Sequence, residues 1–304
     1  MNISKNSELI AAPFTPMHKD GSLNSGMIKK YALKLKNDNV SGVFVCGTTG
    51  EGLLMTLDER KEIAEAWINE QTDNFKVIVH VGTTSSDQSC ELAAHAQSCG
   101  AFGTSAMGPL FLPPDNTGRL LDFCEKIASC APDIPFYYYH IPSVTHLNLP
   151  MDIFLEEGQG KIPNLKGIKY SNNNFAELLK CILLENGKWD IFFGCDDQLL
   201  AGLACGVRGA VGSTYNYMAH LYHKLIEDFE KGDFDAARKK QESSIDLINI
   251  LIKYGGAIVA GKVLMRLIGL NCGPCRLPLR KFDFFLYDKF ILEIDKTGIF
   301  PKLV

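Results

Sequence analysis

The sequence predicts an α/β protein of the (β/α)₈ barrel class with a helical extension at its C-terminal end. Three observations carry that expectation. Eight short apolar runs recur along 304 residues, separated by longer helix-like stretches. Several runs are apolar on both faces, the pattern of buried parallel strands rather than of half-exposed ones. After the eighth run the strand pattern stops and only helical periodicity continues. Eight strand–helix units fit a closed barrel better than an open sheet. Periodicity does not show closure, so an open doubly wound sheet stays the alternative.

The runs are Leu9–Phe14, Gly42–Gly47, Lys76–Gly82, Phe102–Gly108, Pro135–Ile141, Leu165–Tyr170, Asp190–Cys195 and Arg208–Ser213. Between the second and third lies Leu57–Gln71, with Leu57, Ile63, Ala64 and Trp67 on one helical face and charges opposite. Thr56, followed three residues on by Glu59, forms the sequence of a capping box and places that helix's start. From Phe234 to about Leu270, and again from Phe282 to Lys296, the chain reads as helix. The expected division is a barrel over 1–232 and a helical extension over 233–304, packed as one unit without a Pro- or Ser-rich linker.

Composition excludes several function classes. The chain is 46% hydrophobic and 22% charged, the balance of a globular protein with a core large enough to need no disulfide or structural metal. Lys and Arg number 31 against 35 Asp and Glu, so there is no basic excess to neutralise nucleic-acid phosphates. The longest apolar stretches fall well short of the ~20 residues of a membrane helix. Met1–Glu8 is polar and lacks the apolar core of a secretory signal. With no such signal, ten cysteines read as reduced thiols, and a cytoplasmic location is expected.

In a barrel of this class, chemistry sits at the C-terminal strand ends and the loops that follow. Three such ends stand out. The loop Cys46–Gly52, CGTTGEG, can turn several backbone N–H groups toward one spot, and Thr48 and Thr49 add hydroxyl donors for a carboxylate or phosphate. No Gly-Lys-Ser/Thr follows, so it is not a nucleotide P-loop. A tight Gly-rich turn into a helix would look the same. The fifth run ends in Tyr137-Tyr138-Tyr139-His140, with Tyr137 and Tyr139 on one face. A tyrosine there can relay a proton, although tyrosine triplets often simply pack in cores. The sixth run contains Lys169 in an apolar strand. A buried lysine is costly unless it pairs or is neutral, and the neutral amine is the nucleophile that makes a Schiff base. A lysine reaching back to solvent is the plainer reading, and the neighbouring Lys166 shows that lysine in this segment need not be catalytic. Two further signals carry little weight. Cys272-Gly273-Pro274-Cys275 spells a redox motif outside the strand–helix context that chemistry needs, and His220 with His223 lacks a third metal ligand.

Taken together, GTTGEG (Gly47–Gly52), YHIPSVT (Tyr139–Thr145), GIKYS (Gly167–Ser171) and GSTYN (Gly212–Asn216) resemble the N-acetylneuraminate lyase / dihydrodipicolinate synthase family of class I, pyruvate-dependent aldolases. The likeness runs from about Leu9 through Pro278 and within the family is closest to the lyases of the animal type. It implies a (β/α)₈ barrel, a small-molecule keto-acid substrate, a homotetramer and no metal or organic cofactor. It also implies residue roles. Lys169 matches the Schiff-base lysine and Tyr139 the proton-transfer tyrosine. Thr48 and Thr49 match the pair holding the pyruvyl carboxylate. Ser171, Gly194, Asp196, Asp197 and Ser213 match positions that contact the sugar hydroxyls and glycerol tail.

Three positions depart from the family pattern. Asp197 replaces a frequent glutamate, Pro109-Leu110-Phe111 lacks a frequent tyrosine, and His140 stands where asparagine is common. Val144 occupies the place where synthases usually carry an arginine for their second substrate. The missing charge and the missing tyrosine favour retro-aldol cleavage of N-acetylneuraminate, while another pyruvate-dependent aldolase or dehydratase, or a non-catalytic sialate-binding barrel, remains the alternative.

Overall fold

The computed structural model describes residues 7–301, so most of the segment read for a signal lies outside the described residues. Eight strands form: β1 (Glu8–Ala11), β2 (Gly42–Val45), β3 (Lys76–His80), β4 (Gly103–Met107), β5 (Phe136–His140), β6 (Leu165–Tyr170), β7 (Asp190–Phe193) and β8 (Gly209–Gly212). They coincide with the eight apolar runs, most of them shorter because the last residues of a run bend into the following loop. All pairs are parallel, and β8 closes on β1 through Leu9–Ala210 and Ala11–Gly212. Closure removes the open-sheet alternative.

The helices on the barrel are α1 (Ile28–Asn37), α2 (Leu57–Ile68), α3 (Ser86–Ser98), α4 (Thr117–Ala128), the short α5 (Pro142–Thr145), α6 (Met151–Lys161), α7 (Phe175–Leu183), α8 (Leu199–Ala204) and α9 (Tyr215–Glu230). The runs read as apolar on both faces because each face meets a different core. Ile10, Phe44, Ile78, Tyr137, Tyr139, Phe192 and Val211 fill the barrel interior. Their neighbours Leu9, Val43, Val77, Ala106, Tyr138, Ile168 and Phe193 pack against the helices.

The capping box on α2 forms as expected. Thr56 Oγ1 accepts from Glu59 N at 3.2 Å, and Glu59 Oε2 accepts from Thr56 N at 2.8 Å. One charge on this helix departs from the expected outward placement. Arg60 is buried and donates to the carbonyls of Gly82 (3.0 Å) and His80 (2.5 Å), satisfying the backbone where β3 ends.

The C-terminal part adds α10 (Phe234–Lys253), α11 (Ala257–Leu267) and α12 (Tyr287–Lys296). The first two meet at a 108° bend. Gly255 and Gly256 make that bend with φ of +131° and +96°, a region glycine enters without steric cost. No single described helix is long and apolar enough to cross a membrane.

This extension is fastened to the loop after β2. Lys262 of α11 lies 2.6 Å from Glu51 Oε1, with both side chains almost fully enclosed, and Lys262 also donates to Pro274 O at 2.9 Å. Glu51 Oε2 accepts from the Arg276 backbone N–H at 2.7 Å. The Arg276 guanidinium forks onto Glu59 at 2.6 and 2.5 Å and donates to Leu54 O and Gly21 O. That fork holds the Glu59 carboxyl down to about 2. The barrel loop and the extension therefore share one charge network, buried at Glu51–Lys262 and half-buried at Glu59–Arg276. Lys262→Met leaves Glu51 without its counter-ion, and urea denaturation is expected to show a loss of ~3–5 kcal/mol. A loss under ~1 kcal/mol would mean that the fastening contributes little.

Candidate active site

Lys169 projects inward from β6, and its strand neighbours at the same level are Tyr139 on β5 and Phe192 on β7. The lysine is 4% exposed. Its Nζ stands 4.0 Å from the centre of the Tyr139 ring and 4.2 Å from that of Phe44. Those two rings meet edge to face at 5.5 Å. Among the described residues, no carboxylate lies within ion-pair distance of this amine. Aromatic faces tolerate a cation without binding it as a carboxylate would. The result is a buried amine with no fixed counter-ion, backed by a phenol: the makings of a nucleophile beside a proton carrier.

Only one member of the tyrosine triplet has this position. Tyr137 shares the interior but donates to Asp190 Oδ2 at 3.2 Å, at the β7 start and so at the barrel's other end. Tyr138 faces the helices and packs on Phe154. His140 also faces outward, stacked on Tyr170 at 5.2 Å, and burial lowers it to about 4.

The loop after β2 folds back over this site. Cys46 and Glu51 both have φ near the left-handed region, at +57° and +56°. A Cβ on Gly52 would lie 1.8 Å from Cys46 O, so the turn demands glycine there. Glu51 N and Gly52 N donate to Thr48 O and Gly47 O, both at 3.1 Å. Among the described residues no acceptor takes the N–H of Thr48 or Thr49, which leaves two donors next to two hydroxyls. Thr48 Oγ1 is 3.5 Å from the Tyr139 hydroxyl, which ties the loop to that phenol. A carboxylate is the natural ligand of such a donor set.

Ser171 follows Lys169 around the rim. Its hydroxyl is buried without a protein partner, and a Cβ on Gly194 would come within 2.0 Å of it. Gly194 thus makes room for that hydroxyl. Asp197 and Ser213 are half-buried nearby in sequence, after β7 and β8. Asp196 is different. Its Oδ2 accepts from Thr214 N at 2.9 Å and Thr214 Oγ1 at 2.6 Å, and Gly212 lies so close that a Cβ would meet Oδ1 at 1.9 Å. Burial pushes the Asp196 carboxyl above its ordinary range while the Thr214 hydrogen bonds pull it back. This carboxylate is built into the wall and anchors the start of α9.

Sequence reading missed three contributors: Phe44, His80 and the Glu51–Lys262 pair. Alternation along β2 and β3 places Phe44 and His80 inward and was the available signal; the ion pair joins residues 211 positions apart and left none. The two weak signals are structural. Gly273 of the Cys-Gly-Pro-Cys turn sits where a Cβ would meet Met17 O at 2.0 Å, and burial raises its thiols to about 12 for Cys272 and about 11 for Cys275. His220 and His223 each contact a backbone carbonyl, those of Ile299 and Asp38. Glu65 of α2, His95 of α3 and Cys99 just after α3 cluster on the outer helical layer rather than in the barrel interior.

Comparison with known proteins gives the family. N-acetylneuraminate lyase of Gallus gallus is 41% identical over 275 residues, spanning 89% of this chain and 89% of that protein. The Pongo abelii N-acetylneuraminate lyase is 40% identical over 277 residues, 90% and 87% of the two chains. The solved structure of Proteus mirabilis N-acetylneuraminate lyase superposes with a TM-score of 0.94 at 39% identity, covering 98% of this chain and 100% of that one. Residues 5–290 match the model of the dihydrodipicolinate synthetase family, and with these relatives across nearly its whole length the chain belongs to that family.

Proposed function

We propose that the chain is a class I aldolase that cleaves N-acetylneuraminate to N-acetyl-D-mannosamine and pyruvate through a Schiff base on Lys169. The observation that carries this reading is the Lys169 amine, buried, free of any carboxylate, and facing the Tyr139 ring at 4.0 Å. The names borne by relatives near 40% identity support the choice of substrate.

In this reading the open-chain keto form presents its C2 carbonyl to Lys169. Thr48, Thr49 and their free amides hold the adjoining carboxylate, which fixes C2 against the amine. Loss of water gives a protonated Schiff base, an electron sink that needs no metal. Tyr139, held near Thr48, takes the C4-hydroxyl proton as the C3–C4 bond breaks. The enamine of pyruvate is then protonated and hydrolysed. Ser171, Gly194, Asp197 and Ser213 are assigned to the polyol side. Asp196 acts there by shaping the wall, since Thr214 already occupies one of its oxygens.

Val144 favours the lyase over a synthase, because no arginine stands at that point to receive a second carboxylate. A homotetramer and a reducing, cytoplasmic setting complete the proposal. Phe111, Leu112 and Phe285 are 84, 77 and 100% exposed, which suits self-association, and ten free cysteines suit a reducing compartment.

Pyruvate release from N-acetylneuraminate, measured beside condensation of pyruvate with aspartate semialdehyde, tests the substrate. Release from the sialate alone is expected; condensation without release would reassign the chain to the synthase branch. Tyr139→Phe is expected to lower turnover by ~10²–10⁴-fold while pyruvate still binds. Near-normal turnover would remove the phenol from proton transfer.

A further inference from the structure

His80 is a buried polar group that the reaction above does not use. It projects inward from the end of β3 and is 2% exposed. Its ring meets Tyr139 edge-on at 5.8 Å and Phe44 at 6.0 Å, the same two rings that face the Lys169 amine. Neither ring nitrogen completes a hydrogen bond within the protein, although the Cys46 backbone comes close enough to act on the ring. Its strand neighbour on β4 is Ser105, whose hydroxyl is also fully enclosed and unpartnered. Ser105 shares the inward face, because Ala106 after it packs with the helices and Met107 with the interior.

If ring packing were the whole purpose, phenylalanine would serve without burying two unpaired nitrogens. Room has also been kept for the imidazole. A Cβ on Gly82 would stand 3.1 Å from the ring, and Arg60 clamps the His80 and Gly82 carbonyls on either side. Burial, then the Arg60 guanidinium and Lys169, hold the ring well below its ordinary pKa against a smaller opposing pull from the Cys46 backbone, so it is neutral, with one donor and one acceptor. Buried polar atoms of His80 and Ser105 on adjacent strands, none with a completed hydrogen bond, make a site for a small molecule with both hydrogen-bonding senses, and water meets that description.

Resting on the Schiff-base reading of Lys169, we propose that His80 and Ser105 hold the water released when the Schiff base forms and consumed when it is hydrolysed. The step balances without a co-reactant. Lysine ammonium and ketone become iminium and water: the carbonyl C–O bonds break, the C=N bond forms, and two N–H protons leave on the oxygen. Hydrolysis reverses each change. His80 and Ser105 orient this water against the iminium carbon, and His80 is a positioning residue that leaves carbon–carbon cleavage to Tyr139.

The test is a pulse-chase. Enzyme loaded with ¹⁴C-pyruvate is chased with excess unlabelled pyruvate and quenched with borohydride at intervals, and the label remaining on Lys169 is counted. In His80→Phe the label is expected to chase out about tenfold more slowly than in the unaltered protein, the size of effect that loss of one hydrogen bond produces. His80→Asn, which keeps a donor and an acceptor, is expected to recover most of that rate. Ser105→Ala should slow the chase in the same direction and serves as the variant of choice if His80→Phe does not fold. An unchanged chase rate in His80→Phe or Ser105→Ala overturns the assignment, as does His80→Asn behaving like His80→Phe. If the unaltered protein takes up no label at all, the Schiff-base reading itself fails, a distinct result.

Discussion

Parallel pairing of β5 with β6 sets Tyr139 beside Lys169 at the same height on the inner face of a closed barrel, and the chemistry depends on that register. A slip of one residue between them would turn Tyr139 or Lys169 out among the helices, where Tyr138, His140 and Ile168 now pack. Closure of β8 on β1 makes such a slip costly, because every strand is held on both edges. The amine meets two aromatic faces and no carboxylate. That keeps it unpaired in a place where an ion pair would otherwise be the cheapest way to bury a lysine.

The helical extension is part of the site's construction rather than an appendage. The loop proposed to bind the carboxylate holds two residues in the left-handed region, Cys46 and Glu51, and such a backbone persists only where its surroundings fix it. Lys262 and Arg276 supply the fixing through Glu51, and Arg276 continues to Glu59 at the start of α2. The Cys272–Cys275 turn belongs to the same device, since Lys262 also bonds Pro274 O and Gly273 packs on Met17. A segment that spells a redox motif thus serves as a clasp, and its raised thiols suit that inert role.

Much of this was legible in the sequence because its causes are local. Apolar runs and the Thr56–Glu59 box are read directly from spacing, and they place all eight strands and the start of α2. The Lys169–Tyr139–Thr48 constellation was legible through motif resemblance, with alternation giving the faces. Arg60 was misplaced because helical periodicity counts charge as outward and cannot see two carbonyls at the end of a neighbouring strand. Glu51–Lys262 was invisible for a similar reason: the partners lie far apart in the chain and meet only after the barrel has closed. Asp196 was read as a polyol contact, yet its role in holding α9 emerges only from Thr214 and the bare Cα of Gly212.

The proposed chemistry requires Lys169 to be the covalent nucleophile. Incubation with pyruvate and sodium borohydride, followed by peptide mass mapping, tests it most directly. Irreversible inactivation with a single reduced pyruvyl adduct on Lys169 is expected, and none on the exposed Lys166 three residues earlier in the same strand. An adduct on another lysine, or full activity with Lys169 unmodified, would contradict it.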